Sequence, residues 1–230
     1  MVTTVDTGMI ELIKHQLSVD GFSVLNPSNH RFNELRQITK RFDNSSWQEF
    51  NNPYRPKIFS ERSLGKSENS DLQSYNTFCK NIIRLLGYKQ NSFDAIFQTL
   101  DTPDSRHIAQ APHFDRIHTL KFMLYVNTLS HGSGAFCLSK GSHIWTRENF
   151  GIPSKRPSHG AAGFLAATRD IPNSILERLS PVEGEAGTIV IFDTDCIHHQ
   201  GIVTAGQSMI VRAHYRTVRT NPFASLLRQF

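Results

Sequence analysis

The sequence predicts a mainly β fold with flanking helices, in which an antiparallel barrel or double sheet carries helices on one side. Helical periodicity is confined to the N-terminal part of the chain, and from Ser92 onward short apolar runs of strand type follow one another. Clusters of Gly, Pro, Asp and Ser separate these runs, as turns between strands require. No Pro/Gly/Ser-rich linker interrupts the 230 residues, so a single domain spanning residues 1–230 is predicted.

Three amphipathic helices are predicted in the first part of the chain. Apolar residues recur at helical spacing over residues 10–17, and Gly21 ends that helix before the strand-like letters FSVL. Similar stripes mark residues 32–42 and residues 72–86, and Gly87 ends the second of these. None of the three carries a catalytic pattern, so we expect them to support a sheet from outside.

Five strand-like runs follow, and one long stretch interrupts them. The runs read FDAIFQTL, TLKFMLYV, GAFCLS, GTIVIFD and SMIVRAHYR. Between Trp145 and Gly187 strand signals are few, although a short segment, IPNSILERL, is typical of a helix. Long connections of this kind are often lids or binding loops, so residues 145–187 are predicted to form a lid-like insertion, with a surface excursion as the alternative.

The composition is that of an ordinary globular protein, 38% hydrophobic and 20% charged. No apolar run approaches the roughly 20 residues that a membrane helix needs, and the first residues lack the pattern of a secretory signal. Cys79, Cys137 and Cys196 are widely spaced without a CxxC motif and are expected to be small buried hydrophobes in a reducing compartment. We therefore expect a cytoplasmic protein without a membrane partner, and the sequence carries no signal for its oligomeric state.

The net charge of +5 and a pI near 9.2 are compatible with a solvated surface or with attraction to an anionic ligand. Basic residues occur as scattered pairs such as Lys155 and Arg156, without the dense stripe and interleaved aromatics of a nucleic-acid surface. The expected partner is therefore a small molecule, with an anionic one open, and not a nucleic acid.

The stretch QAPHFDRIHTLKFMLYV places His113 and Asp115 directly before an apolar run of strand type. Alternate side chains of a strand turn to the same face, so this imidazole and this carboxylate converge on one point. The pair is either a single ion pair on a surface strand or two ligands of a metal.

The second half of the chain supplies a third candidate ligand. The letters GTIVIFDTDCIHHQG contain a buried-type strand that is followed by a turn and by the paired histidines His198 and His199. Two histidines and one carboxylate on neighbouring sheet edges form the facial triad that holds non-haem Fe(II) and leaves three positions open. A zinc enzyme accepts the same ligands, so the residues alone leave the metal undecided.

In these motifs the chain resembles the phytanoyl-CoA dioxygenase (PhyH) branch of the Fe(II)/2-oxoglutarate-dependent oxygenases. The resemblance rests on four stretches in the family's order, MIELIKHQLSVDGFSVL, HFD, GSGAFCLSKGSH and GTIVIFDTDCIHHQG. They cover nearly the whole chain apart from the stretch after Trp145. The resemblance implies a double-stranded β-helix, or cupin-like jelly roll, which N-terminal helices support and which holds Fe(II) at one mouth.

The resemblance implies that His113, Asp115 and His198 are both the metal ligands and the catalytic residues. In the family the distal ligand follows a Phe by six positions, which gives His198 when counted from Phe192. His199 would point away from the metal and is expected in its outer surroundings or at the surface. The remaining histidines have no partner at metal-ligand spacing and are expected at the surface or in hydrogen bonds: His107, His118, His131, His143 and His214.

The resemblance also implies 2-oxoglutarate and O2 as cosubstrates, and the distal carboxylate of 2-oxoglutarate needs a buried cation. Family members commonly carry this cation about ten residues after the distal His, where the present chain has Ser208. Arg212 on the same strand and face is one alternative, and Lys121 inside an apolar strand is the other. Gln110 resembles a family position with an amide near the cosubstrate.

The implied reaction is the hydroxylation of an unactivated C–H bond of a small-molecule metabolite, as in a biosynthetic step, with release of succinate and CO2. Halogenating relatives lack the carboxylate that Asp115 keeps, so desaturation and ring formation are the alternatives and halogenation is not expected. If the insertion folds over the iron, Trp145, Arg147 and Phe150 would contact the substrate. Two other classes stay open: a metal-binding cupin-type module without turnover, and a non-redox metalloenzyme on the same barrel.

Overall fold

The structure, a computed structural model, describes residues 7–27, 70–105, 108–116, 118–151 and 171–219 of the chain. Along the chain its elements are α1 (Thr7–Val19), β1 (Phe22–Leu25), α2 (Ser70–Leu85), β2 (Tyr88–Asp101), a 3-10 turn (Ile108–Gln110), β3 (Thr119–Tyr125), β4 (Cys137–Ser139), α3 (Ser142–Phe150), α4 (Asn173–Leu176), β5 (Leu179–Pro181), β6 (Ile189–Asp193), β7 (His198–His199) and β8 (Ser208–Arg219). The helix predicted at residues 32–42 and the central part of the predicted insertion, residues 152–170, lie outside the described residues.

Two antiparallel sheets form the β layers. The larger sheet has the strand order β1-β6-β3-β8-β2, and the smaller one has the order β5-β4-β7. The predicted runs of strand type therefore become β2, β3, β4, β6 and β8, because each is a short apolar segment between turn residues. The smaller sheet also takes β5 from the end of the stretch that was predicted to have few strand signals.

The larger sheet is covered on both faces. Lys121 lies opposite Phe192 on one side and His214 on the other, so these three residues share one face, and their chain neighbours share the other. The second face, with Leu120 and Phe122, packs in one apolar cluster with residues of α1 and α2. This is why the strands have continuous apolar runs and not an alternating pattern.

The face of the larger sheet that carries Lys121 and Phe192 packs toward the smaller sheet. Met123 and Tyr125 of β3 pack there in one cluster with Leu138 of β4 and with Val182, which follows β5. The Tyr125 hydroxyl donates a hydrogen bond of 2.7 Å to the carbonyl oxygen of Val182 and thereby ties the two sheets together. The space between the sheets is the interior in which the candidate site lies.

The N-terminal helices are amphipathic, as predicted. α1 buries Met9, Ile10, Ile13 and Leu17, and α2 buries Tyr75, Phe78, Cys79, Ile82 and Ile83. Gly21 follows α1 with a φ of 83°, which favours glycine at this turn into β1. The three cysteines are buried and unbridged. Among the described residues, no helix is long and apolar enough to cross a membrane.

Candidate metal centre

His113 and His198 lie opposite each other in an isolated antiparallel bridge between two chain segments. The His113 amide donates to the His198 carbonyl oxygen over 3.0 Å, and the His198 amide donates to the His113 carbonyl oxygen over 2.8 Å. The amide of Asp115 donates to the carbonyl oxygen of Thr194 over 3.0 Å and so extends the same pairing. Two segments that are far apart in sequence are thus held side by side by backbone hydrogen bonds.

The side chains of His113, Asp115 and His198 meet at one buried point. Asp115 Oδ1 lies 3.6 Å from Nε2 of His198 and 3.9 Å from Nε2 of His113. The three potential ligand atoms are all within 4.8 Å of one another. A single divalent cation between them would be within reach of all three, and the residue types are those of a facial triad.

The imidazoles are oriented for coordination through Nε2. The Nδ1–H of His113 donates to the Ala111 carbonyl oxygen over 2.8 Å, and that of His198 donates to the Cys196 carbonyl oxygen over 2.7 Å. Since a carbonyl oxygen can only accept, these bonds place the proton of each neutral ring on Nδ1 and leave a lone pair on Nε2. Nε2 of His198 is buried and has no hydrogen-bond partner among the described residues, as expected for a nitrogen that is a metal ligand.

The electrostatics keep both rings neutral. Burial lowers the pKa of His113 to about 4, and burial together with the neighbouring His113 lowers the pKa of His198 well below its usual range. Near neutral pH both histidines are therefore unprotonated, which is the form that binds a metal.

His199 lies apart from this group. Its side chain is half-buried, and its ring forms a 2.9 Å hydrogen bond through Nδ1 with the carbonyl oxygen of Gln200. Adjacent residues of an extended segment turn to opposite sides, and the geometry places His198, not His199, beside Asp115.

Lys121 reaches the metal site from the interior face of β3. Its ammonium lies 2.6 Å from Oδ2 of Asp115, so the two carboxylate oxygens have different neighbours. The side chains are only 13% and 10% exposed, which makes this a buried ion pair and not a surface one. The ammonium also lies 5.9 Å from the centre of the Phe192 ring.

Arg212 provides a second buried cation on the interior face, from β8. Its Nε donates to Thr99 Oγ1 over 3.1 Å, and its Nη2 donates to Oε1 of Gln200. The guanidinium lies 5.9 Å from the centre of the Phe136 ring. Ser208 occupies the position at which members of the resembled family commonly have a cation. It is fully buried and donates a 3.4 Å hydrogen bond to the Gly134 carbonyl oxygen.

The sequence places this site in a known family. Residues 34–207 match the family described as Phytanoyl-CoA dioxygenase (PhyH). The chain belongs to the PhyH family. No curated protein sequence matches it significantly.

Solved structures share the fold of this PhyH-family chain at low identity. The epimerase SnoN, in complex with Fe3+, alpha ketoglutarate and nogalamycin RO, has a TM-score of 0.63 at 13% identity, with 92% of this chain and 84% of that chain covered. HygX from Streptomyces hygroscopicus, with nickel and 2-oxoglutarate bound, has a TM-score of 0.57 at 12% identity, with 93% and 87% covered. The carbocyclase SnoK from nogalamycin biosynthesis has a TM-score of 0.57 at 11% identity, with 98% and 92% covered. The prediction of a mainly β fold, a double-stranded β-helix with flanking helices, is thus confirmed.

The predicted cosubstrate amide, Gln110, lies in the 3-10 turn just before His113. Its Nε2 donates a 3.3 Å hydrogen bond to the Ser105 carbonyl oxygen, and its side chain is half-buried. The backbone of the same turn is tied to the distal segment, because the Gln200 amide donates to the Ala109 carbonyl oxygen over 2.8 Å. This PhyH-family chain thus joins the two ligand-bearing segments at a second point.

The three predicted substrate contacts lie on α3. The rings of Trp145 and Phe150 are 5.4 Å apart, and the ring of Phe150 is 4.9 Å from that of Phe114. Phe114 stands between the two proximal ligands in sequence and therefore points to the opposite side from them. Arg147 forms ion pairs with Asp193 and with Asp195, the latter at 2.9 Å. The aromatic contacts of Trp145 and Phe150 therefore lie on the Phe114 side of this segment, opposite His113 and Asp115, and Arg147 contacts a different pair of carboxylates.

A second polar cluster was missed in the sequence. Nε2 of His118 lies 3.0 Å from Oδ2 of Asp193, and His118, Asp193 and Asp195 bring potential ligand atoms within 4.8 Å. The expectation that His118 has no partner at metal-ligand spacing is therefore wrong. Arg147 forms ion pairs with the same carboxylates, which extends the cluster to an ion network. The sequence signal for this cluster was the pair of aspartates in the letters FDTDC, which follow a buried strand and are separated by one residue.

Gln200 is the other residue that sequence reasoning missed. It is fully buried, accepts the hydrogen bond from Arg212 and donates a 3.4 Å hydrogen bond to the Gly134 carbonyl oxygen. The next residue is Gly201, where an added Cβ would lie 2.1 Å from the Ala135 carbonyl oxygen. The sequence signal for a buried Gln200 was the Gly that follows it directly after the two histidines. A glycine at such a position indicates that another backbone segment approaches closely.

Proposed function

We propose that this PhyH-family chain is an Fe(II)- and 2-oxoglutarate-dependent oxygenase that oxidises an unactivated C–H bond of a small-molecule metabolite. We expect hydroxylation, with release of succinate and CO2. The observation that carries the proposal is the convergence of His113, Asp115 and His198, whose ligand atoms lie within 4.8 Å of one another. Structures of the same fold that hold Fe3+ or nickel together with 2-oxoglutarate support it.

His113, Asp115 and His198 would hold the iron, and their donor set fits it. Two neutral imidazoles and one carboxylate suit Fe(II) and leave room for a chelating cosubstrate and for oxygen. Bound Fe(II) with 2-oxoglutarate and O2 supplies the oxidising power for attack on a C–H bond. The protein's own part is to fix the ligands through the carbonyl oxygens of Ala111 and Cys196 and to exclude water.

Arg212 is the proposed anchor for the distal carboxylate of 2-oxoglutarate. A dicarboxylate that enters the closed interior needs a buried cation, and a guanidinium fork can bind a carboxylate with two hydrogen bonds. Arg212 is only 3% exposed, and its guanidinium donates hydrogen bonds to Thr99 and Gln200. Lys121 is the less suitable alternative, since its ammonium already forms an ion pair with Asp115.

The surroundings of the distal histidine are apolar, which suits oxidative chemistry. The ring of Phe192 lies 4.9 Å and that of Phe136 lies 5.7 Å from the ring of His198. Both phenylalanines are buried at the interface of the two sheets. Such a wall limits solvent access to the metal and strengthens electrostatic interactions in the site.

The type of reaction is proposed from the ligand set. Asp115 supplies the carboxylate whose absence would open a position for a halide, so halogenation is not expected. Proteins of this fold include an epimerase and a carbocyclase, so the position of the substrate carbon decides between hydroxylation and other outcomes of C–H oxidation. A small biosynthetic metabolite, neutral or anionic, is the proposed substrate class.

The proposal is tested without knowledge of the substrate. The purified protein is loaded anaerobically with Fe(II) and 2-oxoglutarate, the visible charge-transfer band of the chelate is recorded, and succinate is measured after oxygen is admitted. We expect the band and slow substrate-free succinate formation in the wild type, and neither in Asp115→Ala or His198→Ala. A wild type that binds Fe(II) but forms neither the band nor succinate would favour the metal-binding module.

A further inference from the structure

The position of Lys121 raises a question, because a lysine on the interior face of a buried strand needs a compensating anion. Across β3 this residue lies opposite Phe192 and His214, and its side chain is 13% exposed. Its ammonium lies 2.6 Å from Oδ2 of Asp115, while Oδ1 of the same carboxylate faces the two imidazoles at 3.6 and 3.9 Å. One oxygen is thus engaged by the ammonium and the other is presented to the metal site.

We propose that Lys121 is a positioning residue that holds Asp115 as a ligand through a single oxygen. The proposal rests on the proposed function, since it assumes the metal centre. Carboxylates bind cations through one oxygen or through both. An ammonium on Oδ2 forms a charge-assisted hydrogen bond that a second metal–oxygen contact would have to break.

The consequence concerns the open coordination positions. A facial triad leaves three positions, of which a 2-oxo acid chelate takes two and oxygen the third. If Asp115 bound through both oxygens, it would occupy one of these positions, and any chelating cosubstrate would have to displace it. Lys121 therefore keeps a position available for the chelate.

This role differs from that of a cosubstrate anchor. Arg212 lies opposite Met123, two residues further along β3 than Lys121 and away from Asp115 in sequence. If Arg212 binds the distal carboxylate, its loss would weaken the binding only of chelators that have such a carboxylate. Loss of Lys121 would instead affect every chelator, with or without a tail.

The experiment uses Co(II) alone as the metal probe, with two chelators, oxalate and 2-oxoglutarate. Oxalate chelates a metal but lacks the distal carboxylate. Co(II) absorption and chelator affinity are measured for the wild type, Lys121→Met, Arg212→Gln and Lys140→Met. Lys140 is the matched control, because its 65% exposed side chain pairs with Asp20 at 3.1 Å on the surface.

In Lys121→Met we expect an altered Co(II) absorption spectrum before any chelator is added, and an affinity about tenfold to a hundredfold lower for both chelators. Arg212→Gln should lose affinity for 2-oxoglutarate by about tenfold or more and keep its affinity for oxalate. Lys140→Met should match the wild type in all three measurements. Lys121→Gln, which leaves a polar group beside the carboxylate, is measured in the same way if the methionine variant does not fold.

Two results would overturn the proposal while leaving the metal centre intact. If Lys121→Met weakens only 2-oxoglutarate and keeps the wild-type spectrum, Lys121 is an anchor. If it changes neither spectrum nor affinity, its ion pair has no role at the metal. A wild type that binds no Co(II) would instead remove the metal centre itself, and the role of Lys121 with it.

Discussion

At the scale of single residues, two cations share the interior face of the larger sheet but have different neighbours. Lys121 pairs with the carboxylate of Asp115, whereas Arg212 is held by the neutral acceptors Thr99 and Gln200. The carboxylate of Asp115 offsets the charge of Lys121, whereas hydrogen bonds to a hydroxyl and to an amide oxygen leave the charge of a guanidinium unchanged. On this contrast rests our proposal that Arg212 binds the cosubstrate and that Lys121 holds the ligand carboxylate.

A charge placed on Gln200 tests this assignment. Gln200→Glu keeps the shape of the side chain but gives Arg212 a permanent anion, so the affinity for 2-oxoglutarate should fall at least tenfold. Gln200→Met, which removes only the acceptor, should have a smaller effect. Binding is measured by calorimetry on the metal-loaded protein.

The matched control is Gln207→Glu, the same substitution at an exposed position of the same segment. It should leave the affinity for 2-oxoglutarate within about twofold of the wild type. An equal loss in both variants would mean a general charge effect, and no loss in Gln200→Glu would argue against Arg212 as the anchor.

The sequence predicts which face a residue occupies but not how far its side chain reaches. Strand parity alone places Lys121 with Met123 and Tyr125 on one face, and the register agrees. The same parity could not show that the ammonium would meet Asp115, because the carboxylate precedes β3 in a segment without regular periodicity. Which buried groups form an ion pair depends on distances between side chains, and these are known only from the folded structure.

At the scale of elements, the predictable parts are those with enough residues to show a period. β3 and β6 are continuous apolar runs because both of their faces are buried, and they were predicted at nearly their observed positions. β5 and β7, with the letters LSP and HH, contain no apolar run of strand type, whereas β4 was recognised from the longer run GAFCLS around it. They form strands because they pair with β4 in the folded protein, and the local sequence does not predict this pairing.

The ion network joins α3, the end of β6 and the segment before β3. Arg147 of α3 contacts Asp193 at the end of β6, and Asp193 contacts His118 just before β3. Burial alone would lower the pKa of His118, but the charge of Asp193 outweighs it and raises the pKa. Burial would likewise raise the pKa of Asp193, yet His118 and Arg147 hold it well below its usual range.

The network predicts a pH dependence of stability with a defined sign. A histidine whose pKa is raised in the folded state stabilises the fold fully below the unfolded value of about 6.5, and this contribution is lost as pH rises through the folded pKa. The free energy of unfolding of the metal-free wild type should therefore decrease as the pH rises above about 6.5. His118→Gln should remove this slope, as measured by urea unfolding.

The choice of pH window isolates His118 from other groups. Burial lowers the pKa of His113, His198 and His199 in the folded state, so these residues change stability mainly below about pH 6.5 and with the opposite sign. Burial raises the pKa of the cysteines, which act mainly at higher pH. A slope that persists unchanged in His118→Gln would contradict the role of the network.

At the scale of the whole molecule, the fold brings the candidate ligands together from two segments that are far apart in the sequence. The bridge between His113 and His198 is made of backbone hydrogen bonds, and the main apolar clusters lie on the two faces of the larger sheet. Sequence reasoning predicted the fold, and it named three side chains that the structure brings together, since the order of the motifs and the residue types indicate them. Residues 145–187, predicted to form an insertion, lacked such signals, and residues 152–170 lie outside the described residues.

Because the ligands are polar side chains that pack beside the apolar clusters and are not members of them, metal binding should be separable from folding. A ligand that binds only the folded state stabilises it by about 2.7 kcal/mol at a concentration of 100 Kd, or roughly 5–10 °C in Tm for a chain of this size. We expect this shift with Fe(II) or a redox-inert substitute in the wild type and in His199→Ala, and no shift in His113→Ala. The metal-free Tm of His113→Ala should stay near that of the wild type, because the variant loses a ligand and not a core side chain. Thermal unfolding followed by circular dichroism, with and without metal, measures both quantities. A full metal-dependent shift in His113→Ala would remove this residue from the ligand set, and its loss in His199→Ala would mean that the wrong histidine of the pair has been chosen.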